Sequence, residues 1–236
     1  MADIEFVSTS IALRIAKTIT EARRFGWNAA IVGNPGVGKT RALAHCATTM
    51  PETYLFTVSA VTGNSFVKLF RELCFALGIY DGGSNVGDIQ RRLLKNDFSG
   101  HVLLIDEAQN LKLQAVRELL YLNDLAHLSV IFCGNKEVLK RVSTDTGAFA
   151  QISSRVPFRE TVDCILDADA DVITNTFGVE GMDAYGLTRK IGSQFHARGI
   201  VSVLTRAREL AGGKTVKAAH IQAATEQFPQ YRTALR

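Results

Sequence analysis

The sequence predicts a three-layer α/β fold, a parallel sheet between helices, followed by a small helical domain. Three observations carry this expectation. A short apolar strand at residues 29–32 runs into a glycine-rich loop and then a helix. Later runs at 102–105 and 128–133 are almost wholly apolar and end in polar residues, as strands buried on both faces of a parallel sheet do. Beyond residue 167 strands stop, and four helical segments follow near 167–177, 183–196, 200–212 and 216–228. The expected division is an α/β core over 1–164 and a helical lid over 165–236.

The elements follow in chain order. Ile11, Ile15 and Ile19, with Ala12, Ala16 and Ala22, form one stripe of a helix over 8–24, and Ser8, Thr9 or Ser10 is placed to cap it. After the first strand, the stretch from Thr40 holds good helix formers and no breaker. Residues 54–58 read as a second strand. An amphipathic helix at 64–77 ends at Gly78, and 81–87 reads as a glycine-rich loop. The helix at 86–96 carries Arg91, Arg92 and Lys95 toward its end, where cations complement the helix dipole. A helix over 111–125 separates the two apolar strands. Arg155 precedes a short strand at 156–161.

Bulk properties narrow the classes. With 236 residues and 47% hydrophobic content the chain can bury a sizeable core. A net charge of +4 makes it mildly basic, which permits nucleic-acid binding without demanding it. Cys46, Cys74, Cys133 and Cys164 are widely spaced and read as reduced structural thiols of a cytosolic protein. The first residues lack the pattern of a signal peptide, and no apolar run approaches a membrane span. The expected location is the cytoplasm of a bacterial host, with no membrane partner.

The chemistry is concentrated in Gly33-Asn-Pro-Gly-Val-Gly-Lys-Thr40, which fits G-x-x-x-x-G-K-[ST] at every fixed position between a strand and a helix. Gly33, Gly36 and Gly38 allow backbone conformations closed to other residues, so loop N–H groups converge on phosphate oxygens at a helix N-terminus. Asn34, Pro35, Gly36, Val37, Gly38, Lys39, Thr40 and Arg41 are the expected nucleotide contacts. Lys39 reaches the β- and γ-phosphates of ATP, and the Thr40 hydroxyl ligates Mg²⁺. Asp106 and Glu107 end the third strand, where ligands of open parallel sheets bind. Asp106 is expected to hold Mg²⁺, and Glu107 to polarise the water that attacks the γ-phosphate. Asn135, at the end of the next apolar strand, lies beside them if the two strands are neighbours. It orients the attacking water or senses the γ-phosphate, caps the helix that begins near Lys136, or does both.

The series Gly33–Thr40, Leu104-Ile-Asp-Glu-Ala108, Phe132-Cys-Gly-Asn135 and Ser154-Arg155-Val156, closed by a helical lid, resembles the AAA+ ATPases. Within them it is similar to the B transposition proteins of Mu-type phages and related transposon target-selection ATPases. The resemblance spans roughly residues 6–225. It implies an ATPase that assembles with ATP as a homo-oligomeric filament on double-stranded DNA, without sequence specificity, and delivers that DNA to a transposase. A helicase-loader or replication-initiator ATPase is the alternative. Asn135 then matches the sensor 1 position, and Arg155 matches the arginine finger that reaches the neighbour's γ-phosphate, though a surface salt bridge is the plainer reading of a loop arginine. Where these families place a sensor 2 arginine, this sequence has Ser202; Arg206, one turn later, is the expected substitute. The glycine loop begins too early for an N-terminal helix-turn-helix, so DNA contacts are expected from the ATPase core. Thr62, Asn64, Lys68, Arg91, Arg92 and Lys95 are the candidates, as phosphate contacts with little sequence information.

Overall fold

The apolar runs form a five-stranded parallel sheet: β1 (Ala29–Val32), β2 (Thr53–Thr57), β3 (Val102–Asp106), β4 (Ser129–Gly134) and β5 (Phe158–Thr161). The computed structural model describes residues 6–63, 65–79, 85–138 and 150–235. The strand order is β2-β3-β4-β1-β5. Ala29 sits opposite both Ile131 and Phe158, and Ile105 opposite Phe132. The helices are α1 (Ser10–Phe25), α2 (Lys39–Thr49), α3 (Phe66–Ala76), α4 (Val86–Leu93), α5 (Leu113–Ala126), α6 (Ala150–Ser153), α7 (Asp167–Asn175), α8 (Met182–Leu210) and α9 (Ala218–Glu226). The chain divides into two compact units, Arg14–Gly33 with Lys39–Thr161, and Val162–Arg236 with Met1–Leu13 and Asn34–Gly38.

In the α/β unit, alternate strand residues explain the layers. Ala30, Val32, Leu103, Ile105, Val130 and Phe132 share one core with Phe70, Leu73, Leu119 and Leu122 of α3 and α5. The intervening Ala29, Ile31, Leu104, Ile131 and Cys133 point to the other face and are also buried, as are Ile15, Ile19 and Leu43 of α1 and α2. Both faces of the central strands are therefore covered, which is why their sequences are apolar without alternation. Strand β5, at the sheet edge, alternates between half-buried and exposed. Side-chain caps set the helix starts. Thr9 accepts from the Ala12 N–H (3.2 Å), Ser65 from Lys68 (3.4 Å) and Asn85 from Asp88 (3.1 Å). The helix expected over 111–125 is preceded by a tight turn at Ala108–Asn110 and starts at Leu113.

The helical unit is built from α7 to α9. Asp169, almost fully buried, accepts from the Ser10 N–H (2.6 Å), the Ser10 hydroxyl (2.7 Å) and the Leu166 N–H (3.0 Å), which fixes the start of α7. The helices expected at 183–196 and 200–212 run on as α8, broken at His196 by φ 58° and ψ −162°. Gly199 follows the break, and a Cβ there would stand 2.5 Å from Phe195 Cβ, so only glycine lets the turns close. Arg189 grips Asp171 with two bonds of 2.7 and 2.6 Å. Those hydrogen bonds hold the Asp171 carboxyl below its ordinary value, so their contribution is present at neutral pH and fades as acid titrates it. Cys46, Cys74 and Cys133 are buried, as expected of structural residues, but Cys164 is exposed. Among the described residues no helix is long and apolar enough to cross a membrane.

Candidate active site at the carboxyl ends of the strands

Between the end of β1 and the start of α2 the chain makes the glycine loop. Gly36 (φ 86°) and Gly38 (φ 108°) occupy the left-handed region that side chains avoid. Val37 is buried and pins the loop, while Pro35, Thr40 and Arg41 stay exposed. Asn34 Nδ2 donates to the Asp163 carbonyl at 2.8 Å. The Lys39 ammonium folds back and donates to the Gly33 carbonyl at 2.8 Å, which holds the charge over the loop's start. In turn Gly33 N–H donates to the Gly134 carbonyl at 3.2 Å, tying the loop to β4.

Strand β4 lies between β1 and β3, so the ends of all three come together. Asp106, only 2% exposed, accepts from the Glu107 N–H at 2.9 Å through Oδ1. Its Oδ2 is buried and has no hydrogen-bond partner among the described residues. A buried carboxylate oxygen left in this way costs energy unless a cation or water satisfies it, so Asp106 fits a ligand of Mg²⁺. Glu107 turns the chain sharply, at φ 55° and ψ 38°, and is exposed. The Cys133 thiol reports the neighbourhood: burial raises it first, Asp106 and Glu107 raise it further, and Lys39 opposes them.

Two residues absent from the sequence candidates bond to predicted site residues, one to the strand ends and one to the glycine loop. Gln109 donates to Glu107 through Nε2, and its Oε1 accepts from the Asn135 N–H at 3.3 Å. It approaches Gly134 so closely that a Cβ there would lie 2.2 Å from Oε1. Its position, two residues after Glu107, gives no sign of this, because the contact depends on the left-handed turn at Glu107. Asn135 Oδ1 also accepts from the Glu137 N–H (2.9 Å), so Asn135 caps a helical turn as well as flanking the acids. The second such residue is Arg198. Its N–H donates to the Gly36 carbonyl at 2.9 Å, and its Cβ lies 3.0 Å from where a Gly36 Cβ would be. Arg206 is instead held by Gln227 (2.7 Å) and Glu209 (2.7 Å) within the helical unit. The break at His196 brings Arg198 to the loop, and no sequence period announces that.

The Gly36 geometry yields a direct test. Gly36→Ala places a Cβ at positive φ and against Arg198, at a cost of about 1–2 kcal/mol for the backbone alone. Thermal unfolding should then fall by roughly 2–4 °C per kcal/mol for a chain of this size. Affinity for ADP should weaken in a fluorescence titration. An unchanged melting temperature would mean that the loop does not hold this conformation.

The remaining sequence candidates lie elsewhere. Arg155 stands before β5, at the amino end of the sheet. Its Nη1 meets Asp124 Oδ2 at 3.0 Å, and its carbonyl accepts from Asn28 Nδ2 at 3.0 Å. Asn28 precedes β1 and Gly33 follows it, so at about 3.3 Å per residue the Arg155 backbone lies roughly 16 Å from the loop of its own chain. Thr62 sits in a turn closed by Ser59, whose N–H donates to Thr62 Oγ1 at 2.9 Å. Lys68, Arg92 and Lys95 are exposed, and exposed Arg91 pairs with Asp88. Asn64 lies outside the described residues.

The AAA domain model matches residues 27–142. The chain is 26% identical over 209 residues to the ATP-dependent target DNA activator B of Escherichia phage Mu, covering 87% of this chain and 66% of that protein. It is 27% identical over 180 residues to the Mu-like prophage FluMu DNA transposition protein B of Haemophilus influenzae, covering 74% of this chain and 62% of that protein. It thus spans slightly less than two thirds of the length of these relatives. Among solved structures it is similar to the Aeropyrum pernix ORC2 protein, with TM-score 0.66, 14% identity, and coverage of 92% of this chain and 66% of that one. Domain III of the Thermotoga maritima replication initiation protein DnaA gives TM-score 0.58 at 16% identity, with 94% of each chain covered. At such identities the likeness is one of fold. The chain has the AAA+ P-loop fold, and in sequence it resembles the Mu B transposition proteins.

Proposed function

We propose that the chain binds and hydrolyses ATP with Mg²⁺, assembles with ATP on double-stranded DNA, and delivers that DNA to a transposase. The observation that carries the ATPase part is the meeting of Lys39, Asp106, Glu107 and Asn135 at neighbouring strand ends, with one Asp106 oxygen unsatisfied. The likeness to the Mu and FluMu B proteins supports the transposition part.

The loop N–H groups cradle the phosphates, and Lys39 leaves the Gly33 carbonyl for their oxygens. Thr40 and Asp106 hold Mg²⁺, which supplies charge neutralisation at the phosphates. Glu107 orients the attacking water and takes its proton, with Gln109 fixing the carboxylate and Asn135 aligned beside it. Arg198, whose N–H holds the Gly36 carbonyl, steadies the loop. Arg155 serves the site of the next subunit.

Anisotropy of a random-sequence duplex tests the DNA part with ATP, ADP or no nucleotide, at two salt concentrations. Binding is expected to be cooperative, to require ATP and to weaken as salt rises, since phosphate contacts release counterions. Lys68→Ala with Lys95→Ala should weaken binding equally for all sequences and lower the salt slope by about one for each phosphate that is no longer neutralised. DNA binding that ignored nucleotide, or no DNA binding at all, would overturn this reading. The helicase-loader alternative shares the ATPase core, and co-sedimentation of a transposase or of a replicative helicase with the ATP–DNA assembly separates the two.

A further inference from the structure

The break in α8 stands against the glycine loop. His196 has φ 58° and ψ −162°, a region of backbone space that is essentially reserved for glycine. His196 carries a Cβ, so its backbone is strained within what is otherwise helix. The packing on either side enforces that conformation. Gly192 leaves room for Ile200, whose Cδ1 lies 2.8 Å from where a Gly192 Cβ would be, and Gly199 leaves room for Phe195. Ile191, Ile200, Val203 and Leu204 are fully buried, and the Phe195 ring meets Tyr231 edge-on at 5.0 Å. The two halves of α8 close on each other through these contacts, which hold a conformation that His196 by itself would leave.

The strain has a product at the loop. In an unbroken helix the Arg198 N–H would be committed to the Gln194 carbonyl, four residues back. Here it donates to the Gly36 carbonyl at 2.9 Å. The Phe195 carbonyl oxygen and Arg198 Cβ lie 3.7 and 3.0 Å from where a Gly36 Cβ would be, so residues on both sides of the break flank Gly36. Among the described residues every peptide is trans, and in a planar trans peptide the C=O and N–H point in opposite directions. Pinning the Gly36 carbonyl therefore turns the Val37 N–H away from Arg198. The Val37 side chain is buried, so this peptide is fixed at both ends.

We infer that His196 is a positioning residue of the phosphate loop: its strained backbone delivers the Arg198 N–H to the Gly36 carbonyl and so orients the Val37 N–H for a nucleotide phosphate. The inference rests on the proposed binding of nucleotide by that loop. It assigns the role to the His196 backbone and not to the imidazole. Strain opposes the arrangement while the loop is empty, so relieving it raises the fraction of the protein whose loop is already formed, and apparent affinity rises with that fraction.

The test compares His196→Gly with His196→Ala in the whole chain. Both variants lack the imidazole and they differ only in the Cβ. Within an ordinary helix the alanine variant would be the more stable. At a strained break the order reverses, and His196→Gly should melt several degrees higher. An ADP titration, run well below either melting temperature, should show His196→Gly binding about threefold to tenfold more tightly than His196→Ala. Hydrogen exchange at the Arg198 amide should also be slower in nucleotide-free His196→Gly. A higher melting temperature with equal ADP affinity and equal exchange would leave the break a structural role alone and overturn the inference. Equal variants that both bind ADP more weakly than the native chain would assign the effect to the imidazole, again overturning it. The ordinary order of stability, with alanine ahead, would mean that His196 holds no strain. A native chain that binds no ADP would overturn the nucleotide reading together with the inference.

Discussion

Glu107→Gln lowers ATP turnover by about 10²–10⁴-fold, the usual worth of a positioned general base, while nucleotide binding stays near that of the native protein. The expectation follows from what the substitution leaves in place. Lys39 and its glycine loop are unchanged, and Asp106 keeps its Oδ2 for Mg²⁺. Glutamine preserves the size of the side chain and can still pair with Gln109, but it has no basic oxygen to take the proton of water. The loss should therefore appear in the chemical step and not in affinity. Phosphate release and a fluorescent-nucleotide titration on the same preparation separate the two. The DNA assemblies of this variant should also persist, because ATP is no longer consumed. Turnover within a fewfold of native would remove Glu107 from the mechanism and leave the acid as a strand-end residue.

Arg155→Ala is expected to reduce turnover by about 10³–10⁵-fold, the range attributed to a finger that stabilises charge on the transferring phosphoryl group. A simple loss would not show from which subunit the arginine acts. The geometry makes a sharper statement, because Arg155 lies at the opposite end of the sheet from Lys39 and is held there through Asn28 and Asp124. Mixing the two inactive variants should then restore part of the activity. A Glu107→Gln subunit retains Arg155, and an Arg155→Ala subunit retains Glu107, so one kind of mixed junction holds a complete site. Activity from the mixture, with none from either variant alone, places Arg155 in trans. An inert mixture alongside intact assembly would mean that Arg155 supports the fold through Asp124, in which case Arg155→Ala should also melt at a lower temperature.

The strands and the glycine loop were legible because their signals are local. The residues of β1 are apolar and either small or β-branched, and both of its faces are buried, so composition alone marks it. The spacing of Gly33, Gly36, Gly38 and Lys39 is equally local, since the phosphate cradle is made by consecutive backbone groups. Placing Asn135 beside Asp106 needed one further condition, that β3 and β4 be neighbours. The parallel pairing meets it, with Ile105 opposite Phe132.

What the sequence determined by itself was therefore the class of fold, the strand ends and the residue types at the phosphate loop, because period, apolarity and glycine spacing act over a few residues. The tertiary structure decided the rest. Gln109 reaches Glu107 and Asn135 only because Glu107 adopts a left-handed turn. Arg198 meets Gly36 while Arg206 turns to Gln227, and that choice follows from the backbone break at His196. Phe25, Trp27 and Phe158 are brought together from positions over 130 residues apart by the pairing of β1 with β5. Each of these contacts joins residues whose separation along the chain carries no period, so chain closure and packing fix them and local propensity does not.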